Sequence, residues 1–139
     1  MKFKYRKINL VHPFSRKKYI LRPIIPVSLS FRSLAIRYEA LIDSGSDFNI
    51  FPIEIAQKLN INLKNSKTIH FSGVEDSSIQ GHIASVFLSI NHASFKTNVV
   101  FADLPSSTGI LGQNGFFDIF KVNFDLSREK VEVNAKFSQ

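Results

Sequence analysis

The chain has 139 residues and a net charge of +7, and its content of 44% hydrophobic and 21% charged residues is that of an ordinary globular domain rather than a disordered segment. The absence of cysteine excludes a disulfide framework, a thiolate metal site and a cysteine nucleophile. No apolar run reaches the length of a membrane span, and the N-terminus lacks the apolar core of a secretory signal, so we expect a soluble cytoplasmic protein that does not engage a membrane.

The positive charge is concentrated at the start of the chain. Residues 1–38 contain ten Lys or Arg and no acidic residue, which leaves eight basic and eleven acidic residues for positions 39–139. Such a segment can attract nucleic acid or an acidic partner, or it can form a solvated surface. Because no basic helix, zinc-finger spacing or aromatic RNA-binding motif accompanies it, we favour the solvated surface and expect no nucleic-acid partner.

The first half of the chain predicts strands followed by one helix. Alternating apolar and polar residues over 3–11 predict a strand, and HPFSRK after it predicts a turn. The segment 18–31 is extended, but Pro23 and Pro26 indicate an edge strand or a bulge. AIRYEALI ends in three apolar residues, which predicts burial on both faces. Pro52 suits a first helical position, so we predict a short helix from Pro52 to Leu59.

The second half contains mainly short strands. We predict strands at 68–73, 82–90 and 94–102, with a polar loop bracketed by Gly73 and Gly81 between the first two. A strand end at 109–113, a short helix within 114–120 and a final hairpin turning at 127–129 follow. Many short strands with regularly spaced turns are typical of a mostly-β sandwich or barrel.

Histidines and hydroxyl residues give no catalytic or metal-binding pattern. The four histidines share no ligand spacing, so we predict no metal site. Ser106, Ser107 and Thr108 lack the sharp G-x-S-x-G turn of a serine nucleophile, and a plain loop is the simpler interpretation.

The sequence DSG at 43–45 is the strongest candidate for chemistry. Such a string most often forms an ordinary turn after a strand. Here, however, an apolar strand leads into it, and a second acid, Asp47, and a helix follow, which places the turn inside the fold. ILG at 110–112 is again an apolar run into glycine, and a glycine allows another backbone to pass close beside it.

With these motifs the sequence resembles the retropepsin-like aspartic peptidases over roughly residues 22–133. RPIIPVSLSF with IRYEALIDSGSDFNI is similar to the strands that lead into the family's catalytic D-[ST]-G-[AS] turn, and FPIEIAQKLNI to the helix of its cellular and bacterial branches. FSGVEDSSIQGH resembles the flap over the substrate. TGILGQNGFFDIF and VNFDLSREKVEV resemble the hydrophobic-hydrophobic-Gly segment with its helix and the terminal hairpin. The matches occur in the family's order.

The resemblance implies a fold and a domain plan. The fold would be mostly β, a closed acid-protease β-barrel with one or two short helices. Residues 1–139 would form one domain, with 1–20 as an extra basic N-terminal hairpin and 22–133 as the family-like core.

The resemblance also implies an aspartic endopeptidase that hydrolyses peptides or proteins without metal or cofactor. Because the chain contains one D-[ST]-G, the active enzyme would be a homodimer with one Asp43 from each subunit. Ser44 would brace the pair through its hydroxyl, and Gly45 would admit the substrate backbone. The remaining substrate-binding residues implied by the resemblance are Asp47, Gly73, Val74, Glu75 and Ile110.

The chain departs from the family at three places. Gln113 follows Gly112 where retroviral proteases have Arg, which would pair with the acid at Asp47. Asn49 stands where many members have Ser or Thr, and the flap tip is more acidic and poorer in glycine. These departures keep open a second interpretation, a non-catalytic dimeric peptide-binding module on the same fold. A third makes the basic N-terminal hairpin a contact for nucleic acid or an acidic partner.

Overall fold

The computed structural model is built almost entirely from β-strands. It describes residues 1–10, 13–14, 16–72, 78–104 and 107–136. Twelve strands and one helix occur in this part of the chain. In chain order they are β1 Lys2–Lys4, β2 Arg6–Asn9, β3 Tyr19–Arg22, β4 Ile24–Phe31, β5 Leu34–Ile42, β6 Ile50–Pro52, α1 Ile53–Lys58, β7 Thr68–Ser72, β8 Ser78–Ile90, β9 Ala93–Ala102, β10 Gly109–Leu111, β11 Phe120–Asp125 and β12 Lys130–Ala135.

The main sheet closes into a ring. Seven strands follow the order β4-β5-β10-β6-β9-β8-β7, and β4 also pairs with β8 where Ser28–Ser30 lie beside Phe87–Ser89. Pro26 precedes that contact and has a strand neighbour only in β5, so its missing N–H breaks no sheet bond. The ring agrees with the closed mostly-β fold that the sequence predicts, and the prolines lie where one edge of β4 is open.

The core fills the inside of this ring. Strand β4 shows the pattern that places it there, since Ile25, Val27 and Leu29 are buried while Pro26 and Ser28 between them are only half-buried. Four phenylalanines are the largest fully buried side chains, namely Phe51, Phe101, Phe116 and Phe120. The end of β5 is nearly as predicted, with Ala40 and Ile42 buried and Leu41 half-buried.

Two smaller sheets are formed by the ends of the chain. One has the order β1-β12-β11, and the other pairs β2 with β3. The prediction of one strand over 3–11 is therefore wrong, because the chain leaves one sheet at Tyr5 and enters another. Tyr5 donates its backbone N–H to the Glu129 oxygen at 3.0 Å, which continues the β1–β12 register by one residue, and from Arg6 onward the chain pairs with β3 instead. The division into an added hairpin and a family-like core stays a prediction.

Three other predicted elements differ in detail. Helix α1 begins at Ile53, with Pro52 as its N-cap, and ends at Lys58 because Asn60 adopts a positive φ of 55°. Residues 114–120 contain successive turns and no helix. Of the polar loop predicted between Gly73 and Gly81, residues 78–81 belong to strand β8, while 73–77 lie outside the described residues. None of the described helices has the length and apolar character needed to cross a bilayer.

Candidate active site

The Asp43 turn lies at the end of β5, directly beside β10. Strand β10 runs parallel to β5, with Leu111 opposite Ile42, and antiparallel to β6, with Ile110 opposite Ile50. The backbone N–H of Asp43 donates to the Leu111 oxygen at 3.0 Å, which extends the β5–β10 pairing by one residue. Strand β10, from the last third of the chain, therefore holds the first residue of the turn through a backbone hydrogen bond.

The same segment holds the far side of the turn. After Leu111, Gln113 donates its backbone N–H to the Ser46 oxygen at 2.9 Å, and Asn114 donates to the Asp47 oxygen at 2.9 Å. The Asn114 side-chain amide donates to the same Asp47 oxygen at 2.9 Å. Residues 43–48 thus form a loop fixed at both ends to one passing strand, and little freedom remains for the aspartate.

Gly112 makes this close passage possible. A Cβ at this position would overlap the backbone oxygen of Phe48 and would stand 2.7 Å from the Ser46 oxygen. Both neighbours are main-chain atoms that the sheet holds in place, so no side chain larger than hydrogen fits. The apolar-apolar-Gly pattern is therefore explained by two crossing backbones, as the sequence predicts.

Asn49 is the buried polar residue that joins these segments. Its side chain is fully buried, its Oδ1 accepts the Gly112 N–H at 3.0 Å, and its Nδ2 donates to Thr97 Oγ1 at 3.5 Å. Thr97 Oγ1 in turn donates to the Gly115 oxygen at 3.1 Å. From the sequence, Asn49 was noted only as a departure from the family, and Thr97 was given no role. The available signal was an amide inside the apolar run Phe48–Phe51.

Replacing Asn49 with Leu should destabilise the protein by about 1–3 kcal/mol, because the Gly112 N–H would be buried without an acceptor. Urea unfolding of the variant measures this loss. Asn62→Leu is the matched control, since Asn62 is exposed and its Oδ1 accepts only the nearby Lys64 N–H, at 3.0 Å. An equal loss in the two variants would contradict the role of Asn49.

The carboxylate of Asp43 is positioned by its own turn. Gly45 donates its backbone N–H to Asp43 Oδ1 at 2.9 Å, and Asp43 is half-buried while Ser44 and Gly45 are exposed. The Ser44 hydroxyl makes no hydrogen bond to the described residues. The turn therefore presents an oriented carboxylate and a free hydroxyl on an open surface, where a second molecule can reach both.

Gln113 takes a structural position beside the turn. Its Nε2 donates to the Ser44 backbone oxygen at 2.7 Å. In the described part of the chain, the Asp47 carboxylate has no ion-pair partner, and Asp47 is exposed. The amide thus supports the turn at Ser44 and does not replace the Arg that would pair with Asp47.

The other predicted site residues are only partly placed. Ile110 is half-buried in β10 and points opposite to Leu111, whose side chain belongs to the core. Gly73, Val74 and Glu75 lie outside the described residues. Among the residues that the structure describes, no three His, Asp or Glu side chains gather as potential metal ligands.

Comparison with known proteins agrees with this geometry. Residues 28–114, from β4 to the turn after β10, match the family model described as aspartyl protease. No curated protein matches the chain. A retropepsin-like aspartic protease from Rickettsia conorii has a similar structure, with a TM-score of 0.59, 16% identity and coverage of 80% of this chain and 89% of that one.

The EIAV protease in complex with the inhibitor HBY-793 is also similar. It superposes with a TM-score of 0.53 and 18% identity, over 74% of this chain and 88% of the viral chain. These identities support the fold, and the match of the family model covers more than half of the sequence. The chain therefore belongs to the aspartyl protease family and has the retropepsin-like fold.

Proposed function

We propose that the protein is an aspartic endopeptidase that is active as a homodimer, with one Asp43 from each subunit. The observation that carries this proposal is the Asp43–Gly45 turn, which hydrogen bonds from β10 and the residues after it hold in place, and in which Asp43 is half-buried and Ser44 and Gly45 are exposed. The sequence contains no second D-[ST]-G, so a second carboxylate of the same kind requires a second chain. A two-fold axis beside the turn would bring the two copies of Asp43 together.

The chemistry follows from two carboxyl groups at close range. Like charges that near cannot both ionise, so the pair shares one proton and titrates as a unit. The ionised member removes a proton from a bound water as the water attacks the peptide carbonyl. The protonated member donates its proton to the carbonyl oxygen. Neither a covalent intermediate nor a metal is required for these steps.

The neighbouring residues have supporting roles in this proposal. The free Ser44 hydroxyl would bond across the dimer beneath the carboxyl pair, and Gly45 would leave room for the substrate backbone. Asp47 and Ile110 would contact the peptide from the floor of the cleft, and Gly73, Val74 and Glu75 from the flap above it. The substrate would be a peptide in extended conformation.

Cleavage of a peptide library at a series of enzyme concentrations and pH values tests the proposal. We expect activity favoured at acidic to mildly acidic pH, inhibition by a statine-type transition-state mimic, and a specific activity that rises with protein concentration until the dimer is saturated. Binding of peptides without cleavage at any pH would instead favour the dimeric peptide-binding module.

A further inference from the structure

Strand β11 forms an open edge of the three-stranded β1-β12-β11 sheet. It pairs with β12 along its whole length, and no other strand in the described part of the chain pairs with its second edge. Two large apolar side chains at this end of the sheet are exposed, Phe124 by 43% and Leu126 by 59%. An open strand edge with exposed apolar side chains is a template for another strand.

Backbone hydrogen bonds determine which groups of β11 point outward. Lys136 donates its N–H to the Ile119 oxygen at 2.9 Å, and hydrogen-bonded pairs alternate from there along the β11–β12 register. Val133 donates instead to Met1 on the other side of β12, as this alternation requires. The odd-numbered residues of β11 therefore bond to β12, whereas the N–H and C=O groups of Val122 and Phe124 point away from the sheet.

We propose that β11 pairs with β11 of a second copy of the chain, antiparallel, across a two-fold axis that passes through Asn123. The inference rests on the proposed function, because the Asp43 site is incomplete without that second copy. The three-stranded β1-β12-β11 sheets of the two subunits would join into one sheet of six strands. Val122 and the partner's Phe124 would exchange both of their free backbone hydrogen bonds.

The charges on β11 select this register. In an antiparallel β11–β11 pair, the outward backbone groups of Val122 and Phe124 must bond to the same groups of the partner subunit. This condition permits the two-fold axis to pass through Val122, Asn123 or Phe124. Only the centre at Asn123 places Lys121 opposite the partner's Asp125, and the symmetry repeats that pair. Lys121 has no ion-pair partner among the described residues of its own chain, whereas Asp125 lies 3.8 Å from Arg128 of its own chain and would gain Lys121 as a second cation. The same centre buries the exposed Phe124 ring against the partner's Val122.

The open edge and the Asp43 turn belong to one rigid connection. Gly112 lies under the turn, and Phe117 donates its N–H to the Gly112 oxygen at 3.1 Å. Phe120, the first residue of β11, donates to the Phe116 oxygen at 2.8 Å. The proposal requires that the two-fold axis through Asn123 also relates the two Asp43 turns, and this hydrogen-bonded connection fixes the turn relative to β11 within each subunit.

A single cysteine at position 123 tests the register, since the chain has no cysteine of its own. Asn123 would face its own copy in a non-hydrogen-bonded pair, with Cα atoms roughly 4.5 Å apart, a distance that suits a disulfide. We expect Asn123→Cys to form a disulfide-linked dimer under mild oxidation at least about ten times faster than Lys121→Cys. In the control the two cysteines would be offset by four residues, or roughly 13 Å.

Peptide cleavage by the cross-linked protein separates this inference from the proposed function. Selective cross-linking without cleavage would uphold the β11 interface and overturn the protease proposal. An active dimer in which both cysteine variants cross-link equally, or not at all, would overturn the interface.

As a second variant, Val122→Pro removes an outward N–H and keeps the bonds to β12, and we expect its dimer to dissociate at least about tenfold more readily. Unchanged dissociation would also overturn the interface.

Discussion

Replacing Asp43 with Asn should reduce peptide cleavage by at least about 10⁴-fold, because the dimer would lose both its general base and its general acid. Asn keeps the shape of Asp, and its Oδ1 can still accept the Gly45 N–H that orients the carboxylate. The fold and the dimer should therefore remain. The measurements are cleavage of a peptide substrate and sedimentation of the variant. Glu54→Gln, a carboxylate-to-amide change on the exposed surface of α1, is the control and should keep full activity.

Mixing the two proteins adds a test of the shared site. If each site needs Asp43 from both subunits, an equal mixture of wild type and Asp43→Asn leaves only about one quarter of the dimers fully native after subunit exchange. The activity per wild-type chain should then fall by about half. Activity that depends only on the amount of wild-type chain would show that one Asp43 acts alone and would exclude the proposed dyad.

The second large effect concerns the fold. Gly112→Ala should lower the free energy of unfolding by about 3 kcal/mol or more, because the new methyl group would press against main-chain atoms of Phe48 and Ser46. Neither neighbour can rotate away as a side chain could. Any shift would also strain the Gly112 N–H bond to Asn49, which is buried. Denaturant unfolding followed by circular dichroism measures the loss.

Gly45→Ala is the matched control for this prediction. Among the described residues beyond its two chain neighbours, the new Cβ would approach only Asp43 Oδ1, at 3.2 Å, so stability should change by less than about 0.5 kcal/mol. Its activity should fall, since the methyl group would occupy the surface that the substrate backbone approaches. A Gly112→Ala variant as stable as Gly45→Ala would contradict the close crossing of the two backbones.

The sequence was sufficient to identify the parts of the site that depend on short patterns. The Ile-Leu-Gly run indicated a close backbone approach at Gly112, which holds because one steric cause is expressed by a few adjacent residues. The turn that the apolar end of β5 predicted inside the fold is instead partly exposed, since Asp43 is half-buried and Ser44 and Gly45 are exposed. The strands β8, β9, β11 and β12 were likewise predicted from alternation and turn residues.

Features that depend on distant partners could not be predicted in this way. Residues 114–120 were predicted to contain a short helix, but Phe117 and Phe120 close successive turns, and Gly115 within this segment has a positive φ of 102°. The break after Tyr5 arises because the residues on its two sides pair with different strands, β12 and β3. The acceptor role of Asn49 depends on Gly112, which lies 63 residues away.

The insertion of β10 between β5 and β6 has a consequence for how the protein is made. Among the described residues, the backbone bonds to the loop 43–48 from the last third of the chain involve Leu111, Gln113 and Asn114, so the turn cannot be completed while only the first half of the chain has left the ribosome. Closing such a distant parallel pairing costs loop entropy before any contact compensates for it, which makes folding slow. The proposed catalytic aspartate is thus among the last parts of the chain to reach its final position, and a nascent chain would carry no preformed catalytic turn.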